Sequence, residues 1–348
     1  MSESLEVALL LRWCDLTLAG LAESREQIDA LNVYPVPDRD TGTNLHLTFE
    51  AARQALVEAK TDSLVLALTV FAKGALLGAR GNSGVILSQL LRAGADQLLR
   101  GDPSKPGQLL ADTLTLASNA AYAAVARPVE GTMLTVARAA ARAATDAVPH
   151  GPADPTQQMG FVVTAAARAA HTALDATTEQ LETLRRAGVV DAGGLGLCVL
   201  FDAAQSALTG TESPSWQHSA HIPAHWPPGP VHLAGEIGLA GTGPAFEVMY
   251  LLDAPEPHIA RLKERLEPLG DSLVVVGGDD LWNVHVHVDD VGAAIEAGIE
   301  AGRPHRIRVT HFDERAAQQY CGPVRGPDGG GGGGRRSGAR SPVPRRGC

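Results

Sequence analysis

The sequence predicts a multidomain chain, an all-helical unit over residues 1–210 followed by a small α+β unit over residues 231–316. Three observations predict it. Residues 1–210 carry apolar periodicity at helical spacing, broken only by short Gly, Pro and Asn punctuation. Residues 211–230 then turn dense in Pro, Ser and His. Beyond them, two apolar runs flank Gly277-Gly278-Asp279-Asp280, a strong hairpin signal. Composition agrees: apolar residues are 45% of the 348, which supports a packed core, and aromatics only 4%, which disfavours an aromatic-rich sandwich or barrel of strands.

Taken in order, helical runs fall at residues 5–21, 44–60, 62–77, 83–100, 107–126, 132–147, 156–174, 178–187 and 194–208. In the fifth, Leu110, Leu114, Ala117 and Ala121 fall on one stripe. Pro103 and Pro106 precede that helix, and Pro149 closes the next. The lack of strands here excludes a Rossmann or P-loop core, since both need a strand before the phosphate loop. Residues 211–230 read as a linker, with His218, His221 and His225 solvated in it for want of neighbouring acids or cysteines. Strands over 246–252, 272–276, 281–288 and 307–310, with helices over 258–269 and 291–302, give the order β-α-β-β-α-β. That order suggests a ferredoxin-like α/β sandwich. Residues 317–348 form a tail; its last 27 residues include ten Gly and six Arg, a composition that cannot bury enough to fold and predicts disorder.

The formal net charge is −10, and the basic tail makes the body ahead of it more acidic still. Such a body argues against nucleic acid as the main partner. Cys14, Cys198, Cys321 and Cys348 form no CxxC and suggest neither a disulfide framework nor a zinc knuckle; reduced thiols fit a cytoplasmic protein. The N-terminus lacks a basic region ahead of its apolar run, and no uninterrupted apolar stretch approaches the ~18 residues of a membrane span, so neither a leader nor stable membrane insertion is expected.

Four segments carry chemistry. In LNVYPVPDRDTGTNLHLT, residues 31–48, two prolines hold the chain extended, and Asp38 and Asp40 stand two apart, where side chains point the same way. Converging carboxylates need a cation between them, and hard oxygen ligands suit Mg²⁺. Thr41, Gly42, Thr43 and Asn44 follow at a helix mouth, where free N–H groups bind phosphate. Plain capping by Asp40, Thr41 or Thr43, with Asp38 in a turn, explains the same residues equally well. In GALLGARGNSG, residues 74–84, Asn82 and Ser83 lead into another helix; there is no P-loop lysine. In RPVEGTMLTV, residues 127–136, Gly131 and Thr132 open a helix, and Met133 offers either a purine face or an ordinary core side chain. In GVVDAGGLGL, residues 188–197, Asp191 is a ribose acceptor or a helix cap. Helix starts gathered at one end of a bundle make a polar rim, where a filled bundle places its ligand.

PVPDRDTGTN, GARGNSG, RPVEGTMLTVA and VVDAGG, in this order, together with the hairpin LGDSLVVVGGDDLWNVHVHVDD, resemble the A-subunit family of fatty-acid kinases. Their nucleotide-binding domain is related to the L-subunit of dihydroxyacetone kinases. The resemblance implies an antiparallel eight-helix barrel, or bundle, that binds ATP and two Mg²⁺ at one rim. It places the metals on Asp38 and Asp40, with Asn32 a candidate third ligand. Thr41, Gly42, Thr43, Asn44, Asn82 and Ser83 fall at its phosphate contacts, and Gly131, Thr132, Met133 and Asp191 near its nucleoside. It further implies transfer of the γ-phosphoryl group to the carboxylate of a fatty acid held by a separate acyl-binding B-subunit, in phospholipid metabolism. A homodimer is compatible with it. Phosphoryl transfer needs positioning and charge neutralisation, and an ionised carboxylate acceptor needs no general base.

Three departures stand out. Arg39 occupies a place where the family commonly has Gly, and either pairs with phosphate or crowds the loop. The family's middle domain can hold zinc through one Cys and two His; His285 and His287 match the histidines, but the cysteine's place is Ala245, so zinc is not expected. The family also continues into a C-terminal domain that engages the B-subunit, where this chain turns to Gly and Arg, as a shortened or frame-shifted product or a member that docks its substrate differently. Two alternatives therefore stand beside the fatty-acid reading: a glycerone-kinase-like protein, and a catalytically impaired nucleotide-binding regulator.

Overall fold

A computed structural model describes residues 3–211 and 243–312. The histidines of the 211–230 segment, the 317–348 tail, Cys321 and Cys348 lie outside the described residues. The helical unit comprises α1 (Glu3–Ala30), α2 (Thr41–Ala59), α3 (Leu64–Gly78), α4 (Gly81–Arg100), α5 (Pro106–Ala124), α6 (Met133–Ala147), α7 (Pro155–Gln180), α8 (Glu182–Ala187) and α9 (Ala192–Thr209). From α1 to α7 each helix packs on the next, α9 packs on α7, and α9 returns to α1. Two helices outrun the expectation. α1 continues past residue 21 to Ala30 because Ser24, Ile28 and Leu31 keep the buried stripe going through a polar stretch. α7 runs to Gln180 on the buried Leu174 and Thr177, leaving only six residues to α8.

Small side chains bring these helices close. A Cβ on Gly74 of α3 would stand 2.6 Å from Ala55 Cβ of α2, so only glycine permits that approach. The few aromatics cluster: Trp13, Phe49 and Phe71 pack with ring centroids 5.3 to 5.9 Å apart. The Trp13 indole N–H donates to the Leu200 carbonyl at 3.2 Å, tying α1 to α9. Burying Phe49 completely contributes about 2–3 kcal/mol. Among the described residues α9 is the one helix apolar and long enough to cross a membrane, and 72% of it is buried inside the fold. Cys14 and Cys198 are free and buried.

The second unit is β1 (Phe246–Asp253), α10 (Glu256–Leu266), β2 (Gly270–Gly278), β3 (Leu281–Val288), α11 (Val291–Ala301) and β4 (Arg303–His311). Its β-α-β-β-α-β order is the expected one, and its sheet is wholly antiparallel in the order β2-β3-β1-β4. One face, with Val248, Tyr250, Leu252, Val284 and Val286, is buried with Ile259 and Leu262 of α10 and Ala294 and Ala297 of α11. Met249, Val274 and Val276, on the other face, are buried in the same cluster as the helical unit. The two units are stitched at their seam. Val125 forms an antiparallel bridge with Val274, Ala126 N–H donates to the Leu273 carbonyl at 3.0 Å, and Asn283 Nδ2 donates to the Leu76 carbonyl at 3.0 Å.

Candidate nucleotide site

The 31–40 loop is shaped by Asn32. Its Nδ2 donates to the Val36 carbonyl at 2.6 Å, and its Oδ1 accepts from Thr41 N–H at 3.1 Å and from the Thr41 hydroxyl. Asp29, which sequence reasoning missed, accepts from Thr43 N–H at 3.0 Å and from the Thr43 hydroxyl at 2.8 Å. Burial nonetheless lifts the Asp29 carboxyl above the ordinary range. The opening turn of α2 is therefore capped from α1 and the residue beyond it. Asp40 stands at the N-cap position yet makes no side-chain cap bond.

That separates the two readings of this segment. Capping falls to Asn32 and Asp29, and the N–H groups of Thr41 and Thr43, expected to face phosphate, are spent on them. Asp38 and Asp40 instead line a cleft of about 350 Å³, where pockets for small molecules begin in size. Helix α4 supplies what α2 does not. Its N-cap residue, Arg80, makes no side-chain bond to the first turn, and Gly81, Asn82 and Ser83 line the same cleft. The Asn82 side-chain oxygen is buried with no hydrogen-bond partner. Gly81 has φ +54°, and a Cβ there would collide with the Asn44 amide, so glycine brings the two helix starts together. A 20-residue helix with an open N-terminus is a favourable seat for phosphate.

Thr132, Met133 and Asp191 complete one side. The Thr132 hydroxyl accepts from Leu134 N–H at 3.4 Å, and Met133 is a buried core residue that also borders the cleft. Asp191 caps α9, its Oδ2 accepting from Gly194 N–H at 2.7 Å. Burial pushes its pKa up to about 6, although the Gly194 and Met133 N–H groups favour the ionised form. Asn32, Thr41 and Asn44 also line the cleft, whereas Gly42, Thr43 and Gly131 do not. Arg39 is absent from the lining as well; it has φ +54°, which accounts for a glycine preference at this position without any phosphate contact.

The opposite wall comes from the second unit: Glu247, Asp271, Ser272, Val274 and His287, with Arg127 at the seam. Of these, the sequence pattern singles out only His287. The others lie far along the chain and reach the cleft through the 125–126 bridge to β2. Arg127 Nε is 3.3 Å from Glu267 Oε1. Asp271 sits below the usual carboxylate range, chiefly through its hydrogen bond to His287. Five carboxylate residues, Asp38, Asp40, Asp191, Glu247 and Asp271, thus face one cleft, with Arg127 its one arginine or lysine among the described residues. An all-oxygen donor pair, Asp38 and Asp40, in so acidic a cleft fits a hard divalent cation.

A cleft of this make-up, at the meeting of a helical unit and a small antiparallel sheet, defines a kinase-like nucleotide domain joined to a second module. Residues 35–206 match the DAK2 domain, and residues 243–319 match the middle domain of fatty acid kinase A-subunit-like proteins. The chain belongs to this family, which joins the fatty acid kinase A-subunits to the L-subunits of dihydroxyacetone kinases. An uncharacterised protein of Staphylococcus epidermidis is 33% identical over 313 residues, and protein YloV of Bacillus subtilis 32% over 314; each alignment covers 87% of this chain and 55% of the relative. The chain thus spans about half the length of these relatives. Among solved structures, the dihydroxyacetone kinase of C. freundii is similar with a TM-score of 0.41 and 21% identity, over 57% of this chain and 34% of that one.

Proposed function

We propose that the chain is an ATP-dependent phosphotransferase subunit that passes the γ-phosphoryl group to the carboxylate of a fatty acid presented by a separate acyl-binding protein. The observation that carries this reading is the convergence of Asp38 and Asp40 with the uncapped α4 start on one cleft. The ring of helices is read as the eight-helix antiparallel barrel of the family, with α8 a short insert. Mg²⁺, two ions in this reading, supplies charge neutralisation of the phosphates when bound. Asp38 and Asp40 hold it, while Asn32 keeps the loop closed by binding Thr41.

The chain's own residues do the rest. Gly81, Asn82 and Ser83 present backbone and side-chain donors to phosphate oxygens, Met133 packs on the base, and Asp191 with Thr132 borders the nucleoside. Arg127 gives the transferring group its nearest permanent cation. Because the acceptor carboxylate is already ionised, no side chain has to remove a proton, and positioning suffices. The match to the middle domain favours an acyl acceptor over dihydroxyacetone. The calorimetric test uses a non-hydrolysable ATP analogue with Mg²⁺. Asp38→Ala and Asp40→Ala each lower its affinity at least tenfold, and unchanged affinity overturns the site. Formation of an acyl phosphate with an acyl-loaded partner, against dihydroxyacetone phosphate or no product, then separates the fatty-acid reading from the glycerone-kinase-like and regulatory ones.

A further inference from the structure

We propose that Glu247, His285 and His287 form a divalent metal site in which a carboxylate takes the part of the absent thiolate. The strands bring the three together. His285 and His287 are two apart on β3 and share a face, and Glu247 on β1 lies directly opposite His287 in the antiparallel register. All three are buried, His285 completely. One ligand atom of each lies within 4.8 Å of the others. The two Nε2 atoms are 3.2 Å apart. Two imidazole nitrogens on one tetrahedral ion, each about 2.0–2.1 Å from it, stand about 3.3 Å apart. The ring spacing is already that of a chelate.

Proton arithmetic points the same way. His287 Nδ1 is 3.3 Å from Asp271 Oδ1, and His285 Nδ1 is 3.5 Å from Glu247 Oε1. A ring that faces a carboxylate through Nδ1 keeps its single proton there and turns a lone pair outward at Nε2. With both rings so arranged, two lone pairs meet at 3.2 Å, and a cation between them resolves the repulsion. Asp271 stands behind His287 as the carboxylate that fixes its tautomer, a common support for metal-bound histidine. Ala245, at the place of the family's cysteine, offers no donor side chain; its N–H is held by Asp289 Oδ1 at 2.9 Å. Glu247, two residues further along, supplies the third donor. Two His and one Glu form a harder set than two His and one Cys, and such three-ligand sites keep an open position. Glu247 and His287 line the cleft, so the site borders it.

The test uses the full chain, stripped with a chelator and held in saturating Mg²⁺ without nucleotide, so that the acidic pair does not compete. Calorimetry with Zn²⁺ gives one equivalent bound, with affinity lowered at least tenfold in Glu247→Gln and abolished in His285→Ala. Should either variant fail to fold, Co²⁺ added to the wild-type chain reads the donors directly. Visible ligand-field bands appear without sulfur-to-cobalt charge transfer, and Ala245→Cys adds that charge-transfer band. Absence of stoichiometric uptake, uptake indifferent to Glu247→Gln in a folded variant, or an Ala245→Cys spectrum without the added band overturns the proposal. None of these readouts involves ATP, so the kinase reading stands or falls apart from it.

Discussion

Asp191 offers the sharpest quantitative prediction. Its carboxyl is buried at the start of α9, and its pKa rises from the ordinary 3.8 to about 6. The folded state therefore holds this proton more tightly than the unfolded chain does. Its stabilising contribution is fully present below 3.8 and is lost as pH rises through about 6. At about 1.4 kcal/mol per pH unit, ionising Asp191 costs the fold about 3 kcal/mol at neutral pH. Asp191→Asn keeps an oxygen for the Gly194 N–H and carries no charge. The variant should match the wild type near pH 4 and exceed it by up to about 3 kcal/mol near pH 7.5.

Urea unfolding at those two values, followed by helical circular dichroism, gives the comparison directly. Asp191→Ala is the control: it also sheds the charge but loses the cap, a cost of about 1 kcal/mol, so it should fall below Asn at both pH values. If Asp191→Asn shifts stability equally at both pH values, or lowers it at both, the carboxylate carries no burial penalty and the reasoning fails. A gain in stability with weaker nucleotide binding would be the pattern of a group kept for its ligand rather than for the fold.

Three further outcomes are expected. Arg39→Gly exchanges a strained φ of +54° for a more flexible residue, two effects of about 1 kcal/mol with opposite sign, so thermal stability and Mg–nucleotide affinity should both stay nearly unchanged. A severalfold change in affinity by calorimetry would assign Arg39 to the phosphates instead. Gly42→Ala places a Cβ against the Arg25 carbonyl and 3.0 Å from Ile28 Cβ, which forces α1 and α2 apart and should cost about 1–3 kcal/mol in thermal melts. His171 Nε2 lies 3.0 Å from both Asp202 oxygens, and that contact raises its pKa above the ordinary 6.5. Its contribution is present below 6.5 and lost as pH rises through the raised value, so His171→Gln should cost about 1 kcal/mol at pH 6 and less at pH 9, read by urea midpoints.

Element by element, the helices are legible in the sequence because burial and spacing agree: α4 and α6 begin within two residues of where periodicity puts them. α1 reads short because its second half is polar on the outside, and only the packed structure shows Ile28 closing a stripe begun by Leu21. The hairpin turn is legible because Asp279 and Asp280 tolerate positive φ, and both adopt it. The far wall of the cleft is not, because a strand's local pattern says which residues share a face but not what that face meets. Glu247 reads as a lone acid in an apolar strand until β1 is laid against β3.

The acidic segment shows why capping and ligand binding are hard to separate by sequence. Both need a short polar side chain just ahead of a helix, and both are satisfied by Asp, Asn or Thr. What decides between them is where the donors go. Asn32 and Asp29, contributed from behind the helix, take the α2 N–H groups, so capping α2 does not fall to Asp38 and Asp40. At α4 the reverse holds: Arg80 has no side-chain oxygen to offer its own helix, so the opening N–H groups face the cleft. One helix start is thereby closed and presents carboxylates, and the next is open and presents donors, with Gly81 holding the two together against Asn44. A cation and a phosphate need these opposite surfaces side by side, and two identically capped helices would provide only one of them.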